Sequence, residues 1–143
     1  MKTLPPRKPI QEIFALIHQE FWQLPNYKIL SAAFEADVLK EPEKSAPLHR
    51  KIGKLFSSSN LSKAFNMIAI EYGDGSCLPQ STEKEISWSM LAATEGNSGA
   101  FVSLAYFALE KNKDLAVQLL MQAIEIDDNE TARRYLQNEG FDA

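Results

Sequence analysis

The chain reads as an all-α protein, a short α-solenoid of stacked helical hairpins, and three observations predict it. Apolar positions keep helical spacing in segment after segment, and no turn signature of a β-hairpin interrupts them. A block of sequence also recurs. Ala64-Phe65-Asn66-Met67-Ile68-Ala69-Ile70-Glu71-Tyr72-Gly73-Asp74-Gly75 is followed by Trp88 to Gly96, and then Ala100-Phe101-Val102-Ser103-Leu104-Ala105 begins the pattern again. The step from Ala64 to Ala100 is 36 residues, a period typical of helical-hairpin arrays. A unit of that length cannot bury its own apolar face and must stack on a neighbour.

Each element can be placed in order. Residues 1–8 form a Pro-rich lead-in, expected to be flexible. Ile13, Phe14, Ile17, Phe21 and Leu24 then hold helical spacing until Pro25, which predicts an N-terminal capping helix over residues 9–25. Tyr27–Lys40 is a second helix, stopped by a turn at Glu41-Pro42-Glu43-Lys44. Pro47–Phe56 is a third, with Ile52, Leu55 and Phe56 as its apolar stripe. Ser57-Ser58-Ser59-Asn60 supplies N-cap residues for a fourth helix over Leu61–Tyr72. Gly73–Ser81 is the longest loop, and Ser81 or Thr82 with Glu85 resembles a capping box for the fifth helix. That helix runs to Glu95, where Gly96 supplies the stop. Ser98–Glu110, Asp114–Ile126 and Asn129–Gln137 complete the series. Residues 26–128 thus make about three hairpins, 129–143 a C-terminal capping helix, and 1–143 a single domain.

The 36-residue step extends backwards, from Trp88, Ala92, Gly96, Ala100 and Phe101 to Ile52, Phe56, Asn60, Ala64 and Phe65. Forwards, Glu85, Trp88 and Ala92 map 31 residues on to Ala116, Leu119 and Ala123. The shortening lies in the loop, where Lys111-Asn112-Lys113 replaces Gly73–Ser81. Small residues at Ala64, Ala69, Ala92, Ala93, Ala100, Ala105 and Ala116 let paired helices approach closely. Phe65, Tyr72, Trp88 and Phe101 fill the space between layers.

Ala64, Ile68-Ala69, Tyr72, Gly73-Asp74-Gly75, Lys84-Glu85, Trp88, Ala92-Ala93, Gly96 and Ala100 resemble the pattern of the Sel-1-like repeat family, a branch of the tetratricopeptide superfamily. One full repeat fits, a degenerate one covers Ala100 to Asn129, and residues 26–60 fit loosely. Ile68-Ala69 and Leu104-Ala105 stand where the family has Leu-Gly, and Glu85 where it has a small Ala. The resemblance implies a right-handed solenoid whose first helices line a concave face. It also implies that the residue after the Leu-Gly pair faces the groove. That residue is Ile70 here, and steps of 36 give Tyr106 and Phe34. Helical spacing adds Lys63, Asn66, Val102 and Leu109, so these seven residues are the expected partner-binding ladder. The competing expectation is that the N-terminal helix folds back and covers them.

Composition narrows the function classes. The 143 residues are 45% hydrophobic and 24% charged, an ordinary globular balance. The net charge of −4 argues against a dedicated nucleic-acid binder. Residues 1–106 carry 11 basic and 11 acidic side chains, so the excess acid lies in the last quarter. There Glu125, Asp127, Asp128 and Glu130 crowd the loop before the last helix and form a second candidate site, one for a basic partner. The structural alternative is that Asp127 or Asp128 caps that helix. The start, Met1-Lys2-Thr3-Leu4-Pro5-Pro6-Arg7-Lys8, lacks the apolar core of a signal peptide, and no stretch approaches a membrane span of about 18 apolar residues. With one cysteine, Cys77, there is no intramolecular disulfide framework, and a cytoplasmic location is expected.

Catalytic signals are sparse. His18 and His49 lie 31 residues apart without a metal-binding spacing, so no metal or cofactor is expected. Cys77 sits in a loop that could expose a nucleophile, although a loop thiol of ordinary acidity is the default. Asp74-Gly75-Ser76 has too few acids for an EF-hand loop, and Gly73-x-Gly75 lacks the Lys-Ser/Thr ending of a phosphate cradle. The expectation is therefore a non-catalytic protein-binding module, monomeric when unbound, with one dedicated partner. A toxin bound by a bacterial neutralising (immunity) protein fits, as does a component of a secretion or envelope system served by an adaptor or chaperone. A small hydrolase using Cys77 is the remaining alternative.

Overall fold

Side-chain caps write most of the helix starts. The computed structural model describes residues 1–21 and 25–143. Among these residues eight helices form: α1 Ile10–Phe21, α2 Tyr27–Val38, α3 Pro42–Ser57, α4 Leu61–Asp74, α5 Thr82–Thr94, α6 Ser98–Ala108, α7 Lys113–Asp127 and α8 Glu130–Asn138. Asn26, Asn60, Asn97, Asn112 and Asn129 each accept the backbone N–H three residues on, satisfying a donor the helix itself cannot. Ser81 does the same for Lys84. Its own N–H, which a capping-box glutamate would take, donates instead to the Tyr72 carbonyl at 3.0 Å. Gly75 ends α4 at φ 69°, a left-handed position that glycine adopts without strain. Leu24, expected at the end of the first helix, lies outside the described residues.

Two expectations about the chain's course are corrected. The Glu41–Lys44 turn is the first turn of α3, which begins at Pro42 rather than Pro47. Pro42 stands at the start of the helix, where a missing N–H costs nothing. Pro47 deprives the Glu43 carbonyl of its donor, and both residues are exposed, so that carbonyl is open to solvent. Buried Ser45 ties the new start down, its hydroxyl donating to the carbonyls of Val38 at 2.7 Å and Glu41 at 3.0 Å.

The lead-in over residues 1–8 is docked, not flexible. Gln118 on α7 is buried, and its amide donates to Pro6 O and accepts from Lys8 N, both at 2.9 Å. Arg7 reaches Gln122 at 2.9 Å and Glu125 at 3.2 Å. Lys2 N donates to Gly140 O at 2.8 Å and Lys2 O accepts from Asp142 N at 2.9 Å, a parallel bridge to Phe141. A glutamine in an apolar helix needs partners, and backbone with few free dihedrals supplies them at low entropic cost.

The packing divides the chain into two compact units, Met1–Gln23 with Gly96–Ala143, and Leu24–Glu95, where the sequence reads as one continuous domain. In the contiguous unit α4 pairs with α5, α3 packs on α4, and α2 packs on α3 and α5. Trp88 is 1% exposed at the centre of its core. The rings of Phe65, Phe34 and Tyr27 lie 5.7, 6.2 and 6.3 Å from it, the last two edge-on. In the discontinuous unit α6 pairs with α7, while α8 and α1 pack on α7. Residues Leu115 to Met121 of α7 are all buried, and Phe14 of α1 meets Phe101 of α6 at 6.0 Å. Of the positions paired by the 31-residue step, Trp88 with Leu119 and Ala92 with Ala123 are all buried, while Glu85 is half-buried where Ala116 is fully buried.

Two substitutions test this account. Trp88→Ala is expected to lower the unfolding free energy by about 3–5 kcal/mol, read from the urea midpoint. Gly53 lies mid-helix in α3 with nothing within 4 Å of where a Cβ would stand. Gly53→Ala is therefore expected to raise stability by about 1 kcal/mol in the same assay.

Candidate functional site

Two stripes of the expected ladder reach solvent, one on each unit. On α4, Lys63, Asn66 and Ile70 follow helical spacing, with Lys63 exposed, Asn66 half-buried and Ile70 47% exposed. On α6, half-buried Val102 and Leu109 flank Tyr106, which is 61% exposed. The Tyr106 ring stands edge-on to Phe107 at 5.5 Å. Together with Leu109, Glu110 and Lys111 these two rings line a shallow cleft of about 250 Å³. The helix expected to fold back over the ladder packs on α7 and leaves Tyr106 open.

Phe34 does not belong to that surface. It is 2% exposed, edge-on to Trp88 and stacked on His49 at 6.1 Å. Because α2 lies against both α3 and α5, the inward face of α2 is where its one phenylalanine gains most from burial.

The acidic end is largely neutralised by its own chain. Arg7 pairs with Glu125, Arg133 pairs with Asp128, and the Ser98 hydroxyl donates to Asp127 at 2.7 Å. Neither Asp127 nor Asp128 caps α8. Asn129 does, while Asp128 ends α7 in the left-handed conformation and Glu130 opens α8 near the positive end of its dipole. These acids have structural uses, which weakens them as a docking site for a basic partner.

The strongest electrostatic feature is one that sequence reasoning missed. Asp37, in the last turn of α2, is 3% exposed. Its Oδ2 accepts from the Tyr72 hydroxyl and from Lys84 Nζ, both at 2.7 Å, and Lys40 Nζ lies 2.9 Å from Oδ1. Burial alone would raise this carboxyl. The hydrogen bonds from Lys84, Tyr72 and Lys40 and the charge of Lys84 outweigh it and hold Asp37 at about 2. Burial, then the hydrogen bond to Asp37 and its charge, push the Tyr72 phenol above its ordinary range. The available signal was an acid at a helix C-terminus, where the dipole disfavours it unless cations answer. The cluster ties α2 to α4 and α5, so its role is structural.

Chemistry elsewhere is muted. Cys77 donates from Sγ to Glu71 Oε2 at 2.9 Å, and Ser76 donates to the same oxygen at 2.8 Å. Burial, then the hydrogen bond to Glu71 and its charge, push the Cys77 thiol up to about 11, which leaves little thiolate at neutral pH. The Glu85 carboxyl is raised by burial and then by the Asp74 charge, and it lies where a Cβ on Gly73 would stand. His49 bonds Glu35 at 2.9 Å, and His18 lies half-buried on α1. No group of three or more metal-capable side chains converges among the described residues, and none of their helices is long and apolar enough to cross a membrane.

No protein-family model, curated protein or solved structure significantly matches the chain.

The Asp37 cluster carries a pH dependence. Its folded carboxyl titrates near 2, below the ordinary 3.8, so its contribution is complete above the ordinary value and is lost as pH falls through the folded one. Urea unfolding between pH 6 and pH 2 should show a loss approaching about 2 kcal/mol that Asp37→Asn removes from the profile.

Proposed function

We propose that the chain is a non-catalytic protein-binding module with one dedicated partner, for which each unit offers an exposed stripe, that of α4 in one and that of α6 in the other. The observation that carries this reading is the exposure of Ile70 and Tyr106, large apolar side chains at equivalent places in a 36-residue sequence repeat. Apolar anchors beside polar groups such as Lys63, Asn66, Glu110 and Lys111 are what a protein partner's hot spots require. The Sel-1-like repeat resemblance, and with it solenoid stacking of the hairpins, belongs to the proposal. The partner is a toxin to be neutralised or a component of a secretion or envelope system met in the cytoplasm. The protonated state of Cys77 and its bond to Glu71 weigh against the hydrolase alternative.

The test is affinity capture from native lysate with wild-type chain, Ile70→Asp, Tyr106→Asp and Cys77→Ser, each first shown folded by circular dichroism. Wild type and Cys77→Ser should retain one stoichiometric protein that both aspartate variants lose at least about tenfold. Retention by the aspartate variants, or loss in Cys77→Ser alone, would overturn the assignment.

A further inference from the structure

Among the described residues α3 carries a group of cations that pair with no carboxylate, while Lys28 and Lys63 stand singly without one. In α3 the buried side is Ser45, Leu48 and Ile52, and helical spacing puts Arg50, Gly53, Lys54 and Ser57 on the opposite, exposed side. Within the contiguous unit Lys40, Lys44, His49 and Lys84 each pair with a carboxylate. Among the described residues Arg50, Lys51 and Lys54 pair with none. Three cations within one and a half turns repel each other, and of them only Lys54, in the last turn of α3, gains from the negative end of the helix dipole.

Gly53 is the second, independent observation. A glycine inside a helix costs stability unless space or backbone conformation demands it. Neither does here, because a Cβ would meet no atom within 4 Å and the backbone is helical. The result is bare main chain between two cations, on the floor of a shallow open hollow of about 560 Å³ lined by Arg50, Gly53, Lys54, Ser57 and Ser58. A neighbour can come into backbone contact there beside the Ser57 side chain, while the Ser58 hydroxyl donates to the Leu55 carbonyl at 3.1 Å.

We propose that this face of α3 docks a short acidic segment of a partner protein, its carboxylates on Arg50 and Lys54 and its chain seated over Gly53. Exposed Glu43 stands in the first turn of the same helix, about 10 Å along the axis from Arg50, while Glu41 before it pairs with Lys44. Glu43 would repel the uniform charge of a nucleic acid but leave room for a segment that ends short of it. Lys51 adds long-range attraction, which speeds encounter. None of these residues belongs to the stripes of α4 and α6, so variants of one set leave the other unaltered and the two proposals fail independently.

The experiment is fluorescence anisotropy with a short labelled glutamate-rich peptide at low ionic strength and again at about 0.15 M salt. The unlabelled competitors are the same peptide and a single-stranded oligonucleotide of equal charge. The proteins are wild type, Arg50→Glu/Lys54→Glu, Arg50→Gln/Lys54→Gln, Gly53→Leu, and a Lys28→Glu/Arg134→Glu control of equal charge change. Wild type should bind the peptide with a salt-sensitive affinity. Both Arg50/Lys54 variants should weaken binding about tenfold or more, and Gly53→Leu about fivefold although its charge is unchanged. The control should stay within about twofold of wild type.

The neutral pair and the leucine variant keep the test decisive if charge reversal impairs folding, since each alters only exposed positions. Unchanged affinity in Gly53→Leu would reduce the face to diffuse attraction and overturn the seat. Stronger competition by the oligonucleotide would assign the face to nucleic acid. A dimer seen by analytical ultracentrifugation and lost in the Arg50/Lys54 variants would make the occupant a second copy of the chain. No peptide binding by wild type at low salt would end the proposal.

Discussion

Two helices can approach only as closely as the side chains between them allow, and both hairpins rest on that limit. The pair α4 and α5 buries Ala64, Ala69, Ala92 and Ala93, and the pair α6 and α7 buries Ala100, Ala105, Ala108, Ala116 and Ala123. At Gly73 the Glu85 carboxylate lies where a Cβ would stand, so a methyl group there would make that side chain shift. Close approach brings the backbones together and leaves gaps elsewhere, which Tyr72, Trp88, Phe101 and Leu119 fill. A core of this kind tolerates little change in volume. Its conserved quantity is the distance between axes.

Acidic residues illustrate how environment decides what a charge does. Asp37 is one carboxylate in a dry site, and two lysines and a phenol converge on it. Four acids cluster near the end of α7, yet arginines, a serine and a helix start take up most of their charge. The dense run in the sequence is therefore electrostatically quieter than the single aspartate. On α3 the relation reverses, since a modest group of cations with no partner produces the more distinctive surface.

The helices were legible because their signals are local. Asparagines at the starts, glycines at Gly75 and Gly96, and apolar stripes fix each segment within a few residues. Neighbouring helices pack as α4 on α5 and α6 on α7, the pairs that the sequence spacing places within one repeat unit each. What failed depended on distant partners. Phe34 occupies a repeat position that fits a surface ladder, but its burial is set by α3 and α5 rather than by its own helix. Pro5 and Pro6 suggested a loose end, and the amide that fixes that end lies at Gln118, over a hundred residues away. Asp37 gained its meaning only once Tyr72 and Lys84 were placed beside it. Of the proposed anchors, Ile70 and Tyr106 were found from the repeat, while the α3 face needed the exposure of Gly53 to be noticed.

The division of the chain also sets an order of assembly on the ribosome. Leu24–Glu95 is contiguous, so all its partners emerge together and it can close while synthesis continues. The other unit begins with the earliest residues and cannot be completed until Gly96–Ala143 has followed. Lys2 waits for Gly140 and Asp142, and Pro6 for Gln118, so loops spanning most of the chain must close late. During that interval the apolar face of α1, with Ile13 and Ile17, has no native cover from α7. A helix with that face open is the kind of segment that shielding by another protein would keep from aggregating.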